Sequence, residues 1–178
     1  MKIFYAITFT DKTKHDLSLY RDQLSNHALK GRFTSKENFH LTLEFIGDVK
    51  QADLHIYEEI LEHLSNDYFS LSVNHVGEFP KKNKSVLWLG LEDNKELIRL
   101  QKNLRKLLEV YELPCEKRKY HPHITLGRQV ILDIKTDDFM IPPLNLQLDS
   151  LALMHSHRVK DVLTYEPIYE IKLNNNPS

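Results

Sequence analysis

His40-Leu41-Thr42-Leu43 and His123-Ile124-Thr125-Leu126 are one phrase written twice, 83 residues apart. In an extended strand successive side chains point to opposite faces. His and Thr two apart therefore share one side, and the Leu or Ile between them shares the other with the Leu that follows. Each copy is a polar pair backed by an apolar pair. With 10 His in the chain, two copies of His-x-Thr-Leu arise in roughly one of several hundred shuffled sequences, so the repetition carries information. Taken singly, a strand Thr reflects β propensity and a strand His is usually a satisfied structural residue. The duplication is what singles these four out.

Outward from the two phrases, the chain reads as mixed strands and helices. Lys2 to Phe9 is rich in aromatic and β-branched residues and reads as a strand. Asp11 or Thr13 then caps a helix with Leu17, Tyr20 and Leu24 at helical spacing. Gly31-Arg32-Phe33-Thr34 breaks that helix and leads to the first motif strand, Asn38 to Ile46. A second helix follows over Gln51 to Leu64, with Leu54, Tyr57, Leu61 and Leu64 in one stripe. Tyr68 to Val76 and Ser85 to Leu91 form a hairpin-like pair around Lys81-Lys82-Asn83-Lys84. Asp93 with Glu96 resembles a capping box before the strongest helix, marked by Leu97, Leu100, Leu104, Leu107 and Leu108 and closed by Pro114. The second motif strand spans His121 to Val130. After an irregular stretch at Asp137-Asp138 and Pro142-Pro143, two strands, Leu144 to Met154 and Leu163 to Leu173, flank a turn region at His155-Ser156-His157-Arg158. The tail from Asn174 to Ser178 is expected to fray. Strands and helices mixed without a clean βαβ alternation indicate an α+β fold. We expect one bilobal domain over residues 1–178, with two similar lobes, each an antiparallel sheet with helices, related by a pseudo-twofold around a central cleft.

Composition narrows the function classes. A chain of 178 residues with 41% hydrophobic and 28% charged residues is an ordinary globular one. No apolar run is long enough to cross a bilayer and no signal-peptide core follows Met1, so a cytoplasmic protein without a membrane partner is expected. The one cysteine, Cys115, has no partner for an internal disulfide and no marked base, and reads as incidental. A net charge of −1 excludes bulk coating of nucleic acid. A nucleic acid partner would be held at a local site.

Two histidines facing one another near neutral pH suit displacement at phosphorus, because an ordinary pKa near 6.5 lets one act as base and the other as acid. Threonine hydroxyls beside them donate to non-bridging phosphoryl oxygens, where charge concentrates. Arg128 adds a guanidinium to the same phosphate. Strict alternation would place Arg128 on the face opposite His123, so a bulge near Gly127 is required.

The phrases Asn38-Phe39-His40-Leu41-Thr42-Leu43-Glu44-Phe45-Ile46-Gly47-Asp48-Val49 and His121-Pro122-His123-Ile124-Thr125-Leu126-Gly127-Arg128 resemble the 2H phosphoesterase superfamily. Within it, the chain looks most like the bacterial and archaeal RNA 2′,3′-cyclic phosphodiesterases, also called 2′-5′ RNA ligases. Gly77-Glu78-Phe79-Pro80, Val86-Leu87-Trp88-Leu89-Gly90-Leu91 and Tyr165-Glu166-Pro167 extend the resemblance over almost the whole chain. It implies a cleft lined by both motif strands and metal-independent opening of an RNA 2′,3′-cyclic phosphate to a 2′-phosphate, possible in reverse as 2′-5′ ligation. His40 would be the proton donor and His123 the acceptor, while Thr42, Thr125 and Arg128 would hold the phosphate. A pseudosymmetric site read from sequence allows either order of donor and acceptor. No cofactor is implied, and the expected partner is RNA or a nucleotide with a 2′,3′-cyclic phosphate end, met by a monomer.

Three rival readings stand beside this one. His121-x-His123 and His155-x-His157 have metal-ligand spacing, although no cysteine ligand or paired carboxylates accompany them. A non-catalytic RNA-end binder would grip through Lys117-Arg118-Lys119 and Tyr120. A phosphodiesterase acting on another small cyclic nucleotide would use the same pair of histidines.

Overall fold

A computed structural model describes residues 1–174. The chain forms β1 (Lys2–Phe9), α1 (Asp11–Ser25), β2 (Ala28–Phe33), β3 (Leu41–Asp48), α2 (Leu54–Glu62), β4 (Leu71–Lys81), β5 (Lys84–Leu91), α3 (Lys95–Val110), β6 (His123–Leu132), β7 (Leu144–Leu146), β8 (Leu148–Val159) and β9 (Val162–Lys172). Two antiparallel sheets result, with strand orders β3-β1-β8-β9 and β2-β6-β5-β4-β7. The fold is α+β, as expected. Each motif strand lies in its own sheet, but neither sheet belongs to one half of the chain. β8 and β9 complete the sheet of β1 and β3, while β2 crosses to flank β6.

β1 explains how the sheets meet. Seven of its eight residues are buried, so both its faces are covered. Ile3, Tyr5 and Ile7 join one hydrophobic core with Leu41 and Leu151 of their own sheet and with Leu87, Ile124 and Leu126 of the other. Phe4 and Ala6 face the opposite way and pack with Ala152, Met154 and Tyr165. The apolar backing of both motifs is real: Leu41, Leu43, Ile124 and Leu126 are all buried. Among the described residues, no helix is long and apolar enough to cross a membrane.

Several expectations need correction. The Gly31 stretch is a strand, not a break. It was illegible because β2 is an edge strand with four consecutive exposed residues, so it has no burial alternation. Gly31 sits at φ +147°, where an added Cβ would come within 2.9 Å of Val130. The region His155 to Arg158 is strand as well. The reversal comes later, at Lys160 and Asp161, whose φ values of 50° and 66° are those of a tight hairpin turn without its usual Asn or Gly cue. Residues 144–154 divide between two sheets, with β7 pairing β4 and β8 pairing β1. Helix caps fall one residue earlier than Asp11 and one later than Asp93. Thr10 caps α1 by accepting from the Thr13 amide, and Asn94 caps α3 by accepting from the Leu97 amide. Asn174 bridges to Asp67. The rest of the expected frayed tail, residues 175–178, lies outside the described residues.

A buried carboxylate ties the two motif regions together. Glu44 on β3 accepts from Arg105 Nε at 2.8 Å and from Gln101 Nε2 at 3.1 Å, both on α3, and from the Glu116 amide at 3.0 Å. Arg105 also donates to the Arg118 carbonyl at 2.7 Å, and Tyr120 donates its hydroxyl to the Thr42 carbonyl at 2.6 Å. Segment 116–122, which leads into His123, is thereby pinned to β3 and α3. Removing one partner of a buried ion pair strands the other, so Glu44→Ala should lower unfolding free energy by about 3 kcal/mol. Urea denaturation checks this, and a loss below about 1 kcal/mol would show that the clip is dispensable.

Candidate active site

The site is built from the backbone upward. His40 lies immediately before β3, after a 3₁₀ turn over Lys36–Asn38, and His123 opens β6. His40 Nδ1 lies 2.7 Å from the Asn38 carbonyl, and His123 Nδ1 lies 2.6 Å from the His121 carbonyl. A carbonyl only accepts, so in both rings Nδ1 carries the hydrogen and the neutral imidazole keeps its lone pair on Nε2. In His40 that lone pair accepts from the Thr42 hydroxyl at 2.9 Å. The alternation inferred from the sequence therefore brings His40 and Thr42 to one face.

Each ring stands between aromatic walls. Phe4 and Tyr165 flank His40, with centroids at 4.9 and 5.1 Å. Phe79 and Trp88 flank His123 at 5.1 and 6.0 Å. Trp88 fits because Gly77 faces it across the β4–β5 pair, where a Cβ would fall 2.2 Å from the indole. The Trp88 Nε1 hydrogen is buried without a partner among the described protein groups, a donor left for water or a bound acceptor.

Burial disfavours the charged imidazolium in both rings. It pushes His40 down to about 4, with the Asn38 carbonyl opposing and the charges of His123, Arg128 and Lys14 adding to the depression. His123 is also lowered, by burial first and then by Arg128 and His121 against the hydrogen bond to the His121 carbonyl. His123 and Arg128, which contribute to the lowering of His40, stand on the other sheet. A bulge precedes Arg128: Leu87 pairs with Gly127 but Trp88 pairs with Thr125, leaving Leu126 as the extra residue. The bulge breaks the strict alternation that would put the exposed Arg128 opposite His123. Thr125 follows His123 by two residues on β6, and its carbonyl accepts from the Thr34 hydroxyl at 3.0 Å.

Asn38 is a residue that sequence reasoning quoted without a role. Its carbonyl holds His40, its amide nitrogen donates to the Leu163 carbonyl at 2.9 Å, and its amide oxygen accepts from the Tyr165 amide at 3.1 Å. This one buried residue thus fixes His40 through its backbone carbonyl and, through its side chain, the strand that carries an aromatic wall of the same pocket. Phe4, Phe79, Trp88 and Tyr165 were likewise unassigned; they read as ordinary strand aromatics, and only position distinguishes them. A cavity of about 390 Å³ adjoins His40, lined among others by Lys14, Asp11, Glu37, Asp149 and Glu170.

The metal-ligand spacings do not converge on this site. His155, His157 and Glu166 place ligand atoms within 4.8 Å of one another on the β8–β9 pair. His121 and His123 do not join them, and the Nδ1 of His123 is engaged by a carbonyl. Cys115 is a half-buried free thiol.

Comparison with known proteins places the chain among relatives of known name. Residues 19–160 match the model of the 2′-5′ RNA ligase superfamily. The RNA 2′,3′-cyclic phosphodiesterase of Thermotoga maritima is 31% identical, covering 96% of this chain and 94% of that protein. The enzyme of the same name from Methanocaldococcus jannaschii is 29% identical over 96% of this chain and 98% of its own. Among solved structures, E. coli LigT with 3′-AMP superposes with a TM-score of 0.79 over 98% of each chain at 23% identity, a likeness of fold.

The half-buried, carbonyl-locked ring of His40 makes a direct prediction. In an imidazole NMR titration, His40 should keep its neutral Nδ1–H form as pH falls, with a midpoint at about 4. A midpoint near the ordinary value of about 6.5 would mean that the ring is not sequestered.

Proposed function

The chain belongs to the 2′-5′ RNA ligase superfamily, and from that premise we propose that it hydrolyses RNA 2′,3′-cyclic phosphate ends to 2′-phosphates by acid–base catalysis between His40 and His123, without a metal ion. The observation that carries this reading is the matched pair of Nδ1–carbonyl contacts, which leaves a reactive Nε2 on each motif histidine. His123 Nε2 takes a proton from water as its oxygen attacks phosphorus. His40 Nε2 gives a proton to the departing 3′ oxygen, so the P–O3′ bond breaks and a free 3′-hydroxyl remains beside the 2′-phosphate. Thr42, Thr125 and Arg128 hold the non-bridging oxygens as charge builds on them. With a ribose hydroxyl in place of water, the reverse path is 2′-5′ ligation.

His40 is a weak proton store in the empty site. A bound phosphate monoanion favours the imidazolium electrostatically, so the proton arrives with or after the substrate.

Incubation with an oligoribonucleotide ending in 2′,3′-cyclic phosphate, in chelator, should give the 2′-phosphate. His40→Ala and His123→Ala should each lower kcat by about a hundredfold or more. A 3′-phosphate product would contradict the assignment of the broken bond, chelator sensitivity would restore the metal reading, and intact turnover in both variants would remove the histidines from the chemistry. In pH profiles, the alkaline limb of kcat should lie at higher pH than that of kcat/KM, because the acid is depressed in the free protein and lifted in the complex. Coincident limbs near pH ~6.5 would contradict this electrostatic account.

A further inference from the structure

A second cavity, larger than the one beside His40, lies outside the histidine pair. It is a groove of about 640 Å³ between α3 and residues 119–122, with the end of β5 beside it. Lys95, Arg99, Lys102 and Lys106 line it from α3 and Lys119 from the facing segment, while Glu92 and Asp93 lie at its β5 side. On a helix of 3.6 residues per turn, the four α3 cations fall within about 60° of one another and opposite the buried Leu97, Leu100, Leu104 and Leu108. They form a stripe about 16 Å long.

All five cations are exposed. Among the described residues none of them pairs with an acidic side chain, whereas Arg105 on the same helix is committed to Glu44. Like charges three and four residues apart repel, a cost that a polyanion would reverse. In a chain whose net charge is −1, this is a local concentration of positive charge.

The groove also leads to the chemistry. Its wall includes His121 and Pro122, which run directly into His123, and Tyr120, whose hydroxyl holds the Thr42 carbonyl. His121 is exposed against Phe79, a surface suited to an unpaired base. The cavity beside His40 has the opposite character, with four carboxylates to one lysine among the charged residues named above.

We propose that the α3 groove holds the single-stranded RNA body that precedes the cyclic phosphate, a role that rests on the RNA-end reading above. Phosphates lie along Lys95, Arg99, Lys102 and Lys106, with the terminal cyclic phosphate delivered past His121 to His123. The protein then reads the backbone of an oligonucleotide while leaving a mononucleotide to the histidines alone.

The test compares wild type with Lys102→Glu/Lys106→Glu on two substrates, a mononucleoside 2′,3′-cyclic phosphate and a decaribonucleotide with the same end. The double variant should lose about tenfold or more in kcat/KM on the decaribonucleotide. On the mononucleotide it should change less than about twofold, since neither lysine lies at the histidine pair. Fluorescence anisotropy of the labelled decaribonucleotide should show weaker binding, and its log–log salt slope should flatten by about 1.4, the contribution of two single-strand phosphate contacts. Equal loss on both substrates, or unaltered affinity and salt slope, would overturn the groove. If wild type turns over neither substrate, the catalytic reading fails, while the anisotropy still decides whether RNA lies along α3.

Discussion

A carboxylate sealed from water must be met by donors on every side, and Glu44 meets them in a way that ties the first motif strand to α3 and to the segment entering the second. β3 is an edge strand, and an open edge invites unwanted pairing. Here the Tyr120 hydroxyl takes up the Thr42 carbonyl of that strand, and Glu44 and Arg105 hold the segment that leads into the second motif. The same hydrogen bonds therefore anchor the first motif strand and the approach to the second. Asn38 does the corresponding work on the other flank, joining His40 to β9. Neither residue touches the reacting atoms in this account. Both are positioning residues, and their geometry explains how side chains 83 residues apart share one electrostatic neighbourhood.

The duplicated His-x-Thr-Leu phrase was legible because strand alternation is a strict rule: once the backbone is extended, the polar face and the apolar backing follow. The three helices and the two motif strands were legible for the same reason, as each carries a clean stripe or alternation. What failed were features with no periodic signal. β2 has too little burial to show one, and the β8–β9 turn uses Lys160 and Asp161 where glycine or asparagine is usual. The exchange of strands between sheets was invisible in principle, because pairing partners far apart in sequence leave no local trace. Arg128 is the instructive intermediate. Alternation alone placed it on the wrong face, and the need for a bulge, argued from chemistry, is met by the register slip at Leu126. Asn38 and Glu44 were read only as members of a phrase, since hub roles depend on burial and on partners that a sequence does not display.

The asymmetry between the two histidines then has a physical source. Both rings are locked in the same tautomer, so the motif alone does not make one an acid and the other a base. Their surroundings differ, with His40 enclosed by Phe4 and Tyr165 and lowered to about 4. Relative to an ordinary imidazole near 6.5, that depression corresponds to about 3 kcal/mol against carrying charge. A phosphate monoanion roughly 4 Å from the ring, at an effective dielectric of about 20, returns about 4 kcal/mol. The two magnitudes are comparable, so an anionic phosphate bound beside His40 would offset the resistance of the ring to protonation, as the acid role proposed for it requires. A site with permanently charged histidines would bind phosphate more strongly before reaction but would lack a base. Both half-buried rings are held in the neutral form, His40 with the charges of Arg128 and Lys14 against its protonation and His123 with that of Arg128, so the proposed mechanism would have a base available in the empty site and an acid conditional on an anionic substrate.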